Sequence, residues 1–438
     1  MTEIFFIYLQ LLVFIVIFQF PLNQVILKKY IVLNFNYFEI LTLNIILQGF
    51  FYLIISFLEI DLKNYFIFQV CLGTIFLIFN FSFYIKSNTI FKSLNDSELL
   101  FLFFLIFNLV LFTYVALNLK IEWDGLAHWI YKAQIYYQGG TFSDIKNVSF
   151  SYYPQFGSFL WGFFWKNSFL DIEYFGRLIF PFFYLTGIFF SISGLSNKEN
   201  ILLKFLFLLL IFSLTIDYYL FGGYQEYLLF FELLIFSKLF YIYQKQNNSY
   251  LIFIVLFLDT VLILWTKQEG FFYSIILTII FLIFSNQGYK AKFLFVSLVI
   301  LSILIQVYLK NNLIGTFEFN EKIFHNDLLR YLNISEFFNT FILISKHVCI
   351  SMFRYPIWIL VFLIMIFSSF QNKNNQLFDF AIFYFFIFFA FVYAIYFQTT
   401  QDLDFLLPIT VDRILLQGSG FMVYPILVYL EKFVKNLR

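Results

Sequence analysis

The chain has 438 residues, of which 62% are hydrophobic and 12% are charged, and its mean hydropathy is +0.86. Soluble domains are typically about half apolar and about a quarter charged, so this composition excludes a soluble domain of any size and indicates a polytopic membrane protein. The net charge of +1 argues against a nucleic-acid partner, which would require a basic surface. The sequence also lacks a glycine-rich phosphate loop, so no nucleotide is expected.

Apolar runs of about 20 residues, the length that a helix needs to cross a bilayer, recur along the chain. They predict an all-α fold, a polytopic transmembrane bundle of about thirteen helices. The predicted helices cover roughly 4–20, 39–58, 66–85, 98–118, 174–195, 201–216, 225–243, 250–265, 271–285, 293–309, part of 341–369, 378–397 and 418–433.

Three regions follow from this pattern. Residues 1–118 are N-terminal transmembrane helices, residues 119–173 form a large polar segment, and residues 174–438 are C-terminal transmembrane helices with further polar loops at 310–340 and 398–417. Lys and Arg in short loops set the orientation, because such loops stay on the cytoplasmic side. The charge distribution therefore predicts a plasma-membrane protein with its N-terminus outside, its C-terminus in the cytoplasm and its long polar segments on the outer face.

The polar segment 119–173 contains the most informative motif, Glu122-Trp123-Asp124-Gly125-Leu126-Ala127-His128-Trp129. Apolar residues then recur with helical spacing, at Leu126, Trp129, Ile130, Ala133 and Tyr137. Asp124, His128 and Lys132 are four residues apart and share the opposite face. The pattern predicts a helix lying in the membrane interface, with its aromatic residues towards the bilayer and its polar face away from it. Gly139-Gly140 is expected to end this helix.

Two interpretations of Asp124 are open. A carboxylate at the membrane surface can take a proton from an acceptor hydroxyl, which makes Asp124 a candidate general base, with Glu122 beside it. Asp124 can also be a simple N-cap of the following helix. His128 is either a structural histidine or, together with Asp124, part of a site for a divalent metal ion.

Other charged motifs fall on the predicted outer face. Trp265-Thr266-Lys267-Gln268-Glu269-Gly270 follows one apolar run, Gly222-Gly223-Tyr224-Gln225-Glu226 precedes another, and Asp412-Arg413 lies in the last polar loop. As an alternative to a functional role, Lys267 and Glu269 can be an ordinary pair of charged side chains that extend to the membrane surface. Arg413 can likewise pair with Asp412 or with lipid headgroups. Glu232 and Asp259 fall inside predicted helices, and the sequence does not indicate their roles.

The order of these motifs resembles that of the GT-C-type integral-membrane glycosyltransferases, the group that includes protein mannosyltransferases and aminoarabinose transferases. The resemblance covers about residues 120–415 and is nearest to the bacterial members. It rests on Trp123, Asp124, Trp129, Lys132-Ala133, Tyr153-Pro154, Arg177, Lys267-Gln268-Glu269-Gly270 and Asp412-Arg413.

This resemblance implies an inverting transfer of a sugar from a polyprenyl-phosphate donor to a glycan, lipid or protein acceptor on the outer face. In such an enzyme Asp124 would be the base or a metal contact, with Glu122 beside it. The donor phosphate would bind Lys132, Arg177, Lys267 and Arg413. The substrate cavity would include His128, Trp129, Tyr153, Glu269 and Asp412. We expect Asp124 to lie at the membrane boundary, in a cavity that Lys267, Glu269 or Arg413 also reaches. The expected partners are then the polyprenyl-phosphate donor and membrane lipids. The use of a divalent metal ion as a cofactor is left open.

Two other functions compete with this interpretation. A transporter or flippase of a lipid or glycan would explain acids inside the helices, namely Glu232 and Asp259. A glycan polymerase or ligase is also multi-pass with a large outer loop, but such enzymes tend to use outer arginines and a histidine, whereas the outer face here is rich in acids. The sequence identifies neither the sugar nor the acceptor.

Overall fold

The computed structural model describes residues 2–23, 27, 35–86, 96–193, 195, 201–245, 249–314, 333–370, 376–399 and 402–437. These residues form helices joined by turns, which confirms the all-α class. The four N-terminal helices are α1 (Thr2–Ile17), α2 (Tyr37–Ile55), α3 (Leu62–Lys86) and α4 (Asp96–Leu117).

Short elements make up the 119–173 segment and its exit. They are a π-helical turn (Gly125–Trp129), α5 (Ile130–Gln138), a 3-10 turn (Phe142–Asn147), α6 (Phe156–Lys166) and α7 (Tyr174–Arg177). Gly139 ends α5 with a φ of 93°, a left-handed conformation that glycine adopts without strain, as the Gly139-Gly140 pair predicts.

The C-terminal half contains ten further helices within the described residues. They are α8 (Ile179–Ser193), α9 (Ile201–Thr215), α10 (Glu226–Lys245), α11 (Tyr250–Thr266), α12 (Glu269–Phe284), α13 (Tyr289–Leu309), α14 (Ile334–Arg354), α15 (Ile357–Phe370), α16 (Gln376–Gln398) and α17 (Leu403–Leu437). A 3-10 turn (Tyr218–Leu220) precedes α10, and a π-helical turn (Lys310–Ile314) extends α13.

Seven described helices are long and apolar enough to cross a membrane, and an eighth span is possible if α14 and α15, which meet at a bend of 95°, are counted together. The helices α1, α9, α11 and α12 are apolar but shorter. Large apolar side chains such as Val110, Leu301 and Leu304 point outwards, as expected for helices in contact with lipid. These features are compatible with a multi-pass membrane protein. The count of about thirteen spanning helices is not confirmed.

The helix α10 lies at the centre of the bundle. Its most extensive contact is with α17, and it also packs on α11 and α8. Gly420 makes the approach of α17 possible, because a Cβ there would be 2.1 Å from the carbonyl oxygen of Phe230. At the other end of α10, the buried Lys238 forms an ion pair of 2.9 Å with Glu39 of α2. This packing fixes the register of α17 and therefore the position of Arg413.

The expectation of a loop at 398–417 is wrong from Leu403 onwards, because α17 runs as one helix of 35 residues to Leu437. Charged residues lower the hydropathy of this stretch, but Asp412 and Arg413 both find partners inside the protein, so the backbone can stay helical. In the other expected loop, 310–340, residues 315–332 lie outside the described residues, and α14 already begins at Ile334.

Candidate active site

Two glycine-containing turns bring the start of the 119–173 segment against the turn before α10. A Cβ on Gly125 would be 2.4 Å from the carbonyl oxygen of Gly222, so only glycine allows this approach. Gly223 adopts a φ of 82°, and the backbone N–H of Glu122 donates to the carbonyl of Gly222 at 3.0 Å. The contact places Asp124 next to the first residue of α10, Glu226.

Five charged side chains meet there and form what we call the carboxylate cluster: Asp124, Glu226, Lys267, Glu269 and Arg413. The guanidinium of Arg413 contacts Asp124, and its Nε lies 2.5 Å from Glu226 Oε1. Lys267 Nζ lies 2.8 Å from the same Glu226 oxygen and 3.4 Å from Glu269 Oε1. The expected convergence of Asp124 with Lys267, Glu269 and Arg413 is therefore present.

The carboxylate cluster is buried and carries more negative than positive groups. The exposed fraction is 0% for Glu226 and 4% for Asp124, and the second carboxylate oxygen of Glu226 has no hydrogen-bond partner in the described part of the chain. Burial raises the pKa of Asp124. The positive charges of Arg413 and Lys267 oppose this rise, and the negative charge of Glu226 adds to it. Removal of one partner would leave a buried charge without compensation, which makes the cluster strongly interdependent.

Asp124 does not cap the helix that follows it. Its side chain makes no hydrogen bond to the backbone at the helix start and turns to Arg413 instead. The N-cap interpretation is therefore wrong. Charge pairing with a residue 289 positions away has replaced the local hydrogen bond that a capping aspartate would make.

The polar face of the interfacial helix also differs from the expectation, because it points into the protein. Asp124, His128 and Lys132 are at most 6% exposed, whereas Trp123 is 67% and Tyr131 is 52% exposed. Asp124 contacts Arg413 of α17, and Lys132 donates to the backbone carbonyl of Tyr153, so this face points inwards.

His128 lies between the carboxylate cluster and Lys132. Its Nε2 is 3.8 Å from Asp124 Oδ1, beyond hydrogen-bond distance, and its ring packs against Trp123, Phe150 and Tyr153. Burial lowers the pKa of His128 to about 4, and the nearby positive charges add to this effect. The imidazole is therefore neutral at pH 7. Its Nδ1 is buried and has no partner among the described residues.

A metal site is not complete among the described residues. No group of three His, Cys, Asp or Glu side chains there is arranged to hold a metal ion. Asp124 and His128 offer two ligands, whereas a zinc site typically uses about four, and Arg413 already contacts the Asp124 carboxylate.

Two lysines form a second feature, which we call the cationic pair: Lys132 and Lys310. Lys132 is fully buried and donates to the backbone carbonyl of Tyr153 at 3.0 Å, with its ammonium group 5.3 Å from the centre of the Trp129 ring. Lys310 lies 6.0 Å from the centre of the Trp265 ring. Burial lowers the pKa of Lys132 well below the usual value, and the charge of Lys310 lowers it further.

Three of the expected site residues lie apart from the carboxylate cluster. Glu122 pairs with Lys120 at 3.1 Å, and Asp412 pairs with Arg354 on another side of α17. Arg177 is buried, forms an ion pair of 2.8 Å with Glu173, and donates to the carbonyls of Leu119, Lys120 and Phe221. It ties the start of the 119–173 segment to the turn before α10, and its donors are already engaged.

Sequence reasoning missed two residues of the site. Glu226 was noted only as part of an outer turn, but it is the carboxylate that joins Arg413 to Lys267. Lys310 was not singled out at all. The available signal was its place at the end of an apolar helix, directly before a polar stretch, and such lysines are common at membrane surfaces.

Comparisons with protein families, curated proteins and solved structures find no match for this chain. The function is therefore inferred from the chemistry of the carboxylate cluster and the cationic pair.

Proposed function

We propose that the chain is an inverting glycosyltransferase of the GT-C type. It would move a sugar from a polyprenyl-phosphate donor to a glycan, lipid or protein acceptor on the outer face of the plasma membrane, within a bundle whose N-terminus is outside and whose C-terminus is cytoplasmic. One observation carries the proposal. A single buried helix face, Asp124–His128–Lys132, joins a cluster rich in carboxylates to a pair of lysines without carboxylate partners among the described residues.

The reaction needs these two chemistries side by side. Asp124 takes the proton of the acceptor hydroxyl as that oxygen bonds to the anomeric carbon of the sugar. The bond from this carbon to the phosphate oxygen breaks at the same time, and the polyprenyl phosphate leaves with the electron pair. Inversion requires one base and no covalent enzyme intermediate. Positive groups on the far side of the sugar stabilise the negative charge that develops on the phosphate.

The remaining residues of the site position these groups. Arg413 joins Asp124 to Glu226, and Lys267 joins Glu226 to Glu269, so the base is held in one orientation. Burial lowers the pKa of His128 to about 4, so its imidazole is a weaker base than that of an ordinary histidine. The lipid chain of the donor has the outward apolar faces of the spanning helices available to it.

The variant Asp124→Asn tests the base. It preserves shape but cannot accept the proton, so transfer from a polyprenyl-phosphate sugar in liposomes should fall by about 100-fold or more. Asp171→Asn is the matched control, because Asp171 is an exposed carboxylate of the same segment that accepts a hydrogen bond from the Tyr137 hydroxyl. Full activity of Asp124→Asn would remove the assignment of Asp124 as the base.

A transporter or flippase is the second candidate, and one observation favours it. Glu232 and Asp259 are buried inside the bundle, the Thr266 hydroxyl donates to Glu232 at 2.9 Å, and neither oxygen of Asp259 has a hydrogen-bond partner in the described residues. Acids inside membrane helices are typical of ion or substrate pathways. Movement of a labelled glycolipid across liposomes without any chemical transfer, abolished by Asp259→Asn, would favour this function.

A further inference from the structure

We infer that a cavity between the first turns of α11 and α13 binds an anionic phospholipid of the cytoplasmic leaflet. This end of the bundle is remote from the carboxylate cluster, because α11 begins at Tyr250 and runs to Thr266, directly before Lys267. The site is therefore separate from the proposed transfer reaction. Its shape, its charge and its apolar lining each point to this class of ligand.

The cavity has a volume of about 350 Å³ and lies where the two helices begin. Near these starts, the rings of Phe253 and Phe295 contact each other with centroids 5.8 Å apart. Near the other ends, Gln306 donates to the carbonyl of Leu264 at 2.7 Å. The helices α11 and α13 are therefore parallel neighbours, and both N-termini border the cavity. Its main lining residues are Tyr243, Tyr250, Phe253, Tyr289, Lys290 and Leu294.

The charged lining of the cavity is positive. Lys290 is exposed and makes no ion pair or hydrogen bond with the described residues, and no Asp or Glu lines the cavity. The sequence has no acidic residue at 233–258 or 270–317, the segments that supply the lining. Asp379 of α16 lies by Phe284, beside a different hollow. An anion at Lys290 therefore meets a cation that no carboxylate of the lining already neutralises.

The starts of the two helices reinforce this charge. A helix N-terminus carries partial positive charge and several backbone N–H groups without an acceptor in the helix. Ser249 caps α11 with its side chain, whereas Gly288 provides no side-chain cap for α13. The first N–H groups of α13 therefore lack the acceptor that a capping side chain would supply, and they lie beside Lys290. Phosphate oxygens suit such a position.

The rest of the lining is aromatic and apolar, which favours a lipid over a free phosphate. Tyr243 is only 3% exposed and contacts Phe253, with ring centroids 6.4 Å apart. Tyr250 and Tyr289 are 83% and 78% exposed, and tyrosines of this kind are typical of the membrane–water interface. A free phosphate would leave the apolar surface uncovered. A phospholipid places its phosphate at Lys290 and its acyl chains along Phe253 and Leu294.

The position in the membrane identifies the leaflet. The charge distribution predicts that this end faces the cytoplasm, and Lys245 and Lys292 lie near Lys290 at the same end of the bundle. Anionic lipids give the cytoplasmic leaflet a negative surface potential, and basic pockets between helices on this side bind their headgroups. The bound lipid would hold the starts of α11 and α13 together.

The experiment compares two lipids that differ in the charge of their headgroups. The purified full-length protein in detergent is titrated with dioleoyl phosphatidylglycerol and, separately, with dioleoyl phosphatidylcholine, and bound lipid is counted by native mass spectrometry. We expect the wild type to bind phosphatidylglycerol about 5-fold or more tightly than phosphatidylcholine, which is the scale for one lysine near an anionic headgroup. Lys290→Gln should lose this preference, and Lys290→Arg should retain it.

Lys292→Gln is the matched control. It removes the same charge two residues later in the same helix, but Lys292 does not line the cavity and its Nζ donates to the carbonyl of Leu282 at 2.7 Å. This variant should keep the preference for phosphatidylglycerol. Equal losses in Lys290→Gln and Lys292→Gln would show that general positive charge, and not the cavity, attracts the lipid, and would overturn the site.

Two further outcomes would also overturn it. One is equal binding of the two lipids by the wild type, and the other is an undiminished preference in Lys290→Gln. Because Lys290 is exposed, this variant should fold, and its unfolding temperature without added lipid checks that it does. Soluble glycerol phosphate is the last arm of the experiment. Competition by glycerol phosphate at an affinity equal to that of the lipid would overturn the phospholipid as the ligand.

Discussion

At the scale of a single residue, the burial of Lys132 has a clear effect on the charge of its ammonium group. Its pKa is lowered well below the usual value of a lysine by burial, and the neighbouring Lys310 charge lowers it further. Binding of an anion acts in the opposite direction, because a phosphate stabilises the charged ammonium form. Phosphate binding and proton uptake by the lysine should therefore be coupled.

This coupling predicts a pH dependence. A phosphate monoester is already a dianion above its second pKa of about 6, so its charge is nearly constant between pH 7 and pH 9. Because the pKa of Lys132 is lowered, the free protein loses the proton of this ammonium group at a lower pH than it would from an ordinary lysine, and the affinity for polyprenyl phosphate should fall as the pH rises through that transition. Lys132→Arg should flatten the profile, because arginine stays charged. A wild-type affinity that is independent of pH would contradict this coupling.

At the scale of elements, the close packing of α5 on α6 holds the face that carries Asp124, His128 and Lys132. A Cβ on Gly162 of α6 would be 2.3 Å from the carbonyl oxygen of Ala133 and 2.9 Å from Tyr136 Cβ. The contact is between backbones, so a larger residue cannot be accommodated by a side-chain rotation. The position of α5 thus depends on one small residue of its neighbour.

Gly162→Ala should lower both stability and transfer. The added methyl group overpacks the interface, for which about 1–3 kcal/mol is the usual cost, and it displaces α5, the helix that carries Lys132. The measurement is the thermal unfolding temperature in detergent, together with the transfer rate. Gly288→Ala is the matched control, because a Cβ there would meet no atom within 4 Å. Equal unfolding temperatures for the two variants would show that the α5–α6 contact tolerates expansion.

At the scale of the whole molecule, parts of the three expected polar segments meet at one end of the bundle. Arg413 of α17 contacts Asp124, and the π-helical turn after α13 packs on the 3-10 turn of the 119–173 segment. The ion pair of Lys238 with Glu39 lies towards the opposite end of α10. The charge distribution predicts that the first end faces outwards.

Labelling of introduced cysteines tests this orientation. Cys71 and Cys349 are exposed and would first be replaced by serine. In that background, Ser143→Cys should react with a membrane-impermeant maleimide in intact cells, whereas Asn286→Cys, in the turn between α12 and α13, should react only after permeabilisation. Reaction of both from the same side would contradict the predicted topology and, with it, a site on the outer face.

The sequence by itself determined the all-α class and the approximate position of most helices, and it indicated Asp124 as a candidate site residue. Hydropathy and glycine signals are local, so they can be read without knowledge of the fold, as at Gly139-Gly140. The low hydropathy before residue 418 was misleading for the same reason, because the partners that allow Asp412 and Arg413 to lie in a helix are distant in sequence.

Only the tertiary structure decided which charges pair. Asp124 and Arg413 are 289 residues apart, Glu226 joins Arg413 of α17 to Lys267 after the end of α11, and Arg177 is engaged by Glu173 and backbone carbonyls. Lys310 lies beside the Trp265 ring because α13 packs on α11 through Gln306. The energy of a charge depends on its surroundings more than on its neighbours in sequence, and those surroundings exist only once the helices are packed.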